Sequence, residues 1–275
     1  MPTVIHRYLQ KLKTNPNPPG LADFLRGTIT LFQYSNKYGY TLKLDTSSHP
    51  LFKVLDIPEN IKASCEPEEN THEIIYPIPY NDMPKILNDL FTRGSDINII
   101  THAYFLETQN MSEEYNFIKS LLRPNAKLTE LITNIQSKLS IDISKPYITI
   151  HVRTGDESLV NNMADSNNTT HTVESISKYI ANMNPVKQVL LITDSREVKE
   201  KLKNTYATVP CNPVHIGILN TEHLMDDLYS TLAEFLLMST SSEIHCISRW
   251  VNSSGFSSIC AKVYGIPYTQ YGLID

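Results

Sequence analysis

Apolar positions along this 275-residue chain recur with two different periods, and the change of period marks its elements. Leu21, Phe24, Leu25, Thr28, Leu31 and Phe32 fall three and four apart, as on one face of a helix, and the run stops near Gly39. Ahead of it, Asn15-Pro16-Asn17-Pro18-Pro19-Gly20 cannot be helical, because its prolines fix φ and remove backbone donors. Tyr40-Thr41-Leu42-Lys43-Leu44 then reads as a strand closed by Asp45. Residues 56–82, rich in Pro, Glu and Asn, read as loop. A helix over 84–92, a strand over 97–104 and helices over 112–122 and 126–139 follow. Lys145 is held out of the helical region by Pro146, which makes the 140–146 stretch a domain boundary.

Beyond that boundary the pattern is regular. Strands are expected over 147–153, 189–193, 214–218 and 244–248, with helices over 173–183, 197–203, 224–238 and 254–264. The strands are near-continuous apolar runs, as parallel strands covered on both faces should be. This alternation predicts a doubly wound parallel sheet. The expectation is therefore an α/β chain with an N-terminal α/β domain, 1–140, and a C-terminal Rossmann-like domain, 141–275.

Composition narrows the function. A net charge of −5 disfavours a general nucleic-acid binder, which needs a basic surface. Cys65, Cys211, Cys246 and Cys260 are scattered without a CxxC pair, which fits a reducing compartment better than a disulfide framework or a zinc site. The first residues lack the apolar core of a signal peptide, and no stretch approaches the ~20 apolar residues of a membrane span. The expected location is cytoplasmic. P-loop, GxGxxG and GxSxG motifs are missing, and so is the Asp-x-Asp triad that would hold a metal-bound diphosphate.

Ligands of open parallel sheets bind at the carboxyl ends of the strands. Three such ends carry His151-Val152-Arg153-Thr154-Gly155-Asp156-Glu157, Thr193-Asp194-Ser195, and Ser248-Arg249 leading to Ser253-Ser254-Gly255-Phe256-Ser257. A helix N-terminus offers unpaired N–H groups and a positive dipole end to a phosphate. Arg153 adds a forked cation for the same oxygens. Each motif alone has a plainer reading, a surface salt bridge for the arginine and an N-cap for the serines. Their order at one edge of one sheet favours a nucleoside diphosphate site.

His151-Val152-Arg153-Thr154-Gly155-Asp156 resembles the H-x-R-x-x-D motif of the GDP-fucose-dependent fucosyltransferases, the α1,2-, α1,6- and nodulation groups. Leu191-Ile192-Thr193-Asp194-Ser195 resembles their next strand end. Glu234 through Ser239, followed by Ser253-Ser254-Gly255-Phe256-Ser257, resembles their last motif. Pro19-Gly20-Leu21-Ala22-Asp23-Phe24 resembles the loop that opens their N-terminal domain. Thr154 stands where the family has a second arginine, Ala22 where it has a glycine, and Glu234 where it has an aspartate.

The resemblance implies a GT-B-like fold, two Rossmann-like α/β domains with a central cleft, the donor bound mainly by the C-terminal one. It assigns Arg153 to the diphosphate and His151, Asp194 and Glu234 to the nucleotide side. Ser253, Ser254, Gly255 and Phe256 cradle phosphate, and Gly20, Asp23 and Arg26 face the sugar or acceptor. The implied reaction is a metal-independent inverting transfer from a nucleotide-sugar co-substrate, GDP-fucose or similar, to a glycan hydroxyl. No other cofactor is called for. Asp156 or Asp23 would be the base, with Glu157 behind them, and a salt bridge or cap is the alternative role of Asp156. Another NDP-sugar donor, or a non-catalytic nucleotide- or glycan-binding module, are the competing readings.

Overall fold

A computed structural model describes residues 1–8, 20–64, 71–75, 78–101, 110–155, 166–183, 185, 187–210, 224–249 and 253–272. The described residues form two compact units that divide between Asn125 and Ala126.

The first unit holds a five-stranded sheet in the order β3-β2-β1-β5-β4, with every pairing parallel. The strands are β1 Thr3–His6, β2 Thr41–Asp45, β3 Lys62–Ala63, β4 Thr71–Ile74 and β5 Ile97–Thr101. The helices are α1 Leu21–Tyr38, α2 Met83–Phe91 and α3 Ser112–Leu121. α1 ends where Gly39 takes the left-handed conformation (φ 70°) and donates to Ser35, a helix stop that a Cβ would strain. Val4 and Ile99 from the sheet meet Leu31 and Tyr34 of α1 and Leu87 and Phe91 of α2 in one buried cluster.

Three of these strands were not expected. β1 is four residues long, too short to display a period, yet it is the middle strand of the sheet. β3 and β4 fall within the stretch read as loop. They become strands because β2 and β5 offer them backbone partners, a tertiary effect that Pro- and Glu-rich composition hides.

The second unit carries β6 Tyr147–Arg153, β7 Gln188–Thr193, β8 Ala207–Thr208, β9 Glu243–Ser248 and β10 Tyr268–Gly272. Their order is β10-β9-β6-β7-β8, again all parallel, the doubly wound order with its reversal between β6 and β9. The helices are α4 Ala126–Lys138, α5 Ser166–Met183, α6 Arg196–Leu202, α7 Leu224–Met238 and α8 Gly255–Tyr264. α4 joins this unit, so the division precedes that helix instead of following it at 140. The reason is packing, since Leu128 and Ile135 are buried and Lys127 Nζ lies 4.6 Å from the Tyr229 ring of α7.

Side chains alternate across β6. Ile148, Ile150 and Val152 pack with Ile176 and Ile180 of α5 and with Val198 and Leu202 of α6. Thr149, His151 and Arg153 face the other way, where His151 meets Phe256 of α8. α5 starts seven residues ahead of the expected Val173, in a Ser/Asn/Thr run of low helix propensity. The strand expected over 214–218 lies outside the described residues. β10 was not expected, because an edge strand with four of its five residues exposed has no apolar pattern to read. No described helix is long and apolar enough to cross a membrane.

Candidate functional site

The reversal of strand order between β6 and β9 opens the carboxyl edge of the second sheet at Arg153 and Ser248, which are register partners. In such a sheet this is the place where a ligand fits. Arg153 donates to Asp194 Oδ2 at 2.5 Å, and the arginine side chain is 17% exposed against 6% for the aspartate. The same carboxylate accepts from Thr154 N (2.8 Å), Thr154 Oγ1 (2.8 Å) and Gly155 N (3.2 Å). Asp194 thus gathers the turn that leaves β6 and aims the guanidinium. Three donors besides the arginine hold the carboxylate, so the guanidinium is paired with a fixed partner at the sheet edge, and a forked cation is suited to anionic oxygens.

Across the reversal, Ser253 and Ser254 lead into α8. Ser254 is the N-cap residue but makes no side-chain cap bond, so the first-turn N–H groups are not taken by its hydroxyl. Ser195 at the head of α6 behaves in the ordinary way and accepts from Val198 N at 3.3 Å. Ser253 has φ 64°, the single described non-glycine residue with positive φ. A left-handed L-residue costs on the order of 1–3 kcal/mol and persists where its surroundings hold it. Ser253 Oγ is bonded to the Tyr268 hydroxyl, which also lies 3.4 Å from Ser257 Oγ.

Beneath this edge lies a buried polar layer. His151 Nδ1 is 3.9 Å from Cys246 Sγ, its register neighbour on β9, and both residues are buried. Burial would raise the Cys246 thiol, but hydrogen bonding and charge from His151, with bonds to Ser253 and Ser257, outweigh it and bring the thiol down. Phe256 packs its ring against His151 (5.7 Å) and Phe235 (5.2 Å). Glu234 of α7 is 1% exposed and faces Lys199 Nζ of α6 at 3.7 Å, too long for a hydrogen bond. Burial pushes its carboxyl up to about 8, the Lys199 charge opposes this, and the Asp194 charge adds to it. His151 and Glu234 are therefore both buried, while Arg153 keeps 17% of its side chain exposed.

In the first unit, Asp23 sits in the opening turn of α1. It accepts from Gly20 N at 3.2 Å and pairs with Arg26 at 3.2 Å, both charged side chains about one-third exposed. A deeper polar group was not expected from the sequence. Arg7 Nε donates to Asp45 Oδ2 at 3.2 Å and Arg7 Nη1 to Thr71 at 2.9 Å. His6 contacts Thr28 Oγ1 at 3.0 Å and the Thr101 carbonyl at 2.9 Å. His49 accepts from Leu51 N at 2.9 Å, and the Tyr8 ring lies tilted against it with centroids 3.9 Å apart. Burial, then the nearby His6, hold His49 well below the usual imidazole range. The strand-end rule points to His6, Arg7 and Asp45 once β1 is known to be a strand. Nothing in the sequence pattern points to Tyr268, Cys246 or Lys199. Asp156 and Glu157 lie outside the described residues.

By sequence, no protein-family model and no curated protein matches the chain. Solved structures do. The NodZ α-1,6-fucosyltransferase soaked with GDP-fucose superposes with a TM-score of 0.58 at 15% identity, covering 96% of this chain and 93% of that one. The fucosyltransferase NodZ from Bradyrhizobium gives 0.57 at 14% identity, covering 94% and 92%. The similarity thus falls on the group of enzymes that the sequence motifs resemble, and this chain shares their GT-B-like α/β fold over nearly its whole length.

Proposed function

We propose that this chain is a glycosyltransferase that takes a sugar from a GDP-sugar, fucose being favoured, and delivers it to a glycan hydroxyl with inversion and without a metal ion. The observation that carries the reading is the pairing at one sheet edge of Arg153, aimed by Asp194, with the uncapped N-terminus of α8. A departing diphosphate gains negative charge in the transition state. A guanidinium and a row of helix N–H groups are the donors that stabilise such charge without reorganising.

Arg153 and the backbone of Ser254, Gly255 and Phe256 hold the diphosphate in this reading. Asp194 positions Arg153, and His151 and Glu234 act from beneath. Asp23, partly exposed at the head of α1, or Asp156 takes the acceptor proton. Gly20 and Arg26 belong to the acceptor or sugar side.

Calorimetric titration of the purified chain with GDP, UDP, CDP and dTDP tests the donor class, with GDP expected to bind tightest. Release of GDP from GDP-fucose in the presence of EDTA then tests catalysis without a metal. A UDP preference removes the fucosyltransferase reading. Binding of GDP with no turnover on any glycan acceptor supports a non-catalytic module instead. Turnover lost to EDTA and restored by manganese removes the metal-independent mechanism.

A further inference from the structure

The turn into α8 is held from outside the motif. Tyr268 opens the edge strand β10, fifteen positions beyond Ser253, and pairs in register with Ile244 of β9. Its hydroxyl meets both Ser253 Oγ and Ser257 Oγ, so it straddles the start of the helix on the side opposite Arg153 in the strand order. Ser253 is where the chain adopts φ 64°, and the direction taken there decides how the chain enters α8. With an L-residue, that conformation requires a hold, and the hydroxyl pair supplies one. The Ser253 hydroxyl is therefore engaged within the protein, which leaves the backbone N–H groups beyond it for a ligand. Burial, then the Cys246 thiol beside it, push the Tyr268 phenol up to about 12, so it remains a neutral hydrogen-bonding group through the physiological range.

We propose that Tyr268 is a positioning residue for the diphosphate site: by holding Ser253 in the left-handed conformation it aims the first-turn N–H groups of α8 at the ligand. The inference rests on the nucleoside diphosphate reading of that edge. It assigns Ser253 a hinge role in place of direct phosphate contact. Tyr268 acts at a distance and touches no reacting atom.

Two variants of the whole chain test it, Tyr268→Phe and the double variant Tyr268→Phe/Ser253→Gly. The phenylalanine keeps the ring and removes the tie. GDP should then bind roughly five- to tenfold more weakly, the worth of one hydrogen bond. Amide hydrogen exchange at residues 254–256 should quicken in the ligand-free protein while the rest of the second sheet keeps its protection. Glycine adopts φ 64° without a hold, so the double variant should return the GDP Kd to within about twofold of the parent. A merely structural tyrosine would lower protection throughout the unit, and glycine at 253 would not rescue it.

The inference is overturned if Tyr268→Phe binds GDP like the parent and leaves exchange at 254–256 unchanged. It is equally overturned if the double variant stays as weak as the single one, since the hydroxyl pair would then be a ligand itself. A parent protein that binds no GDP overturns the reading of the site and the ligand half of this inference with it. That outcome is distinct from a parent that binds beside a Tyr268→Phe variant that binds equally well.

Discussion

The two units of this chain build their sheets alike and use the carboxyl edges differently. In the first, the polar residues at the strand ends turn inward. Arg7 is 7% exposed and pairs with Asp45 at 0%, and His6, His49 and Thr28 lie with them in the interior. In the second, Arg153 keeps 17% of its side chain in solvent beside a helix that its own N-cap serine leaves open. An arginine–aspartate pair occurs in both, but its surroundings decide its work. A pair sealed among protein groups can only hold the fold together. One at an open edge keeps a guanidinium within reach of an anion.

The largest test of that contrast removes each arginine in turn. Arg7→Ala leaves the Asp45 carboxylate buried without its cation and should cost about 3–5 kcal/mol of stability, read by urea unfolding. Arg153→Ala should leave most of the unfolding free energy in place, because Thr154 and Gly155 still donate to Asp194. It should instead weaken GDP binding and lower kcat by about 10²–10³-fold. If Arg153→Ala unfolds the protein and Arg7→Ala does not, the two sites have been read the wrong way round.

A second test uses pH, since each unit buries a titrating group and the two pull in opposite directions. Glu234 has its folded-state pKa raised to about 8, so the folded protein keeps a proton that the unfolded chain releases. Its contribution is fully present below the unfolded value near 4.5 and is lost as pH rises toward about 8, at up to about 1.4 kcal/mol per pH unit. His49 is depressed, so the unfolded chain takes up a proton that the folded protein refuses. Its contribution is present above about pH 6.5 and is lost as pH falls below it. Urea titrations at several pH values should show Glu234→Gln gaining on the parent toward pH 8, and His49→Gln losing the acid-side decline. Parallel curves for parent and Glu234→Gln would mean that this carboxyl is ionised in the fold.

The smallest effect distinguishes two helix starts. Ser195→Ala removes a cap bond from α6 and should cost about 1 kcal/mol, whereas Ser254→Ala removes none from α8 and should cost only a few tenths. Thermal unfolding reads both. Equal losses would mean that Ser254 caps α8 in solution and that the helix end is closed to an anion.

Much of the second unit was legible in the chain itself. β6, α7 and α8 fall within a residue of their expected limits because each buries a long apolar run or stripe, and burial of such runs dominates the choice of local structure. That Arg153 and Asp194 leave neighbouring strands at one edge was legible as well, since strand ends of a doubly wound sheet share one edge. The first unit was harder. β1, β3 and β4 are two to four residues long, and short strands owe their existence to partners far along the chain.

Sequence alone therefore determined the alternation of elements and the parallel sheet of the second unit, because hydrophobic period and connection handedness are local properties. Tertiary structure decided which carboxylate aims Arg153, that Ser254 makes no cap bond to α8, and that Glu234 is buried facing Lys199. It also brought Tyr268 from the edge strand to Ser253. These are relations among groups from different strands and helices, set by distance and burial, and residue identity along a single chain carries neither.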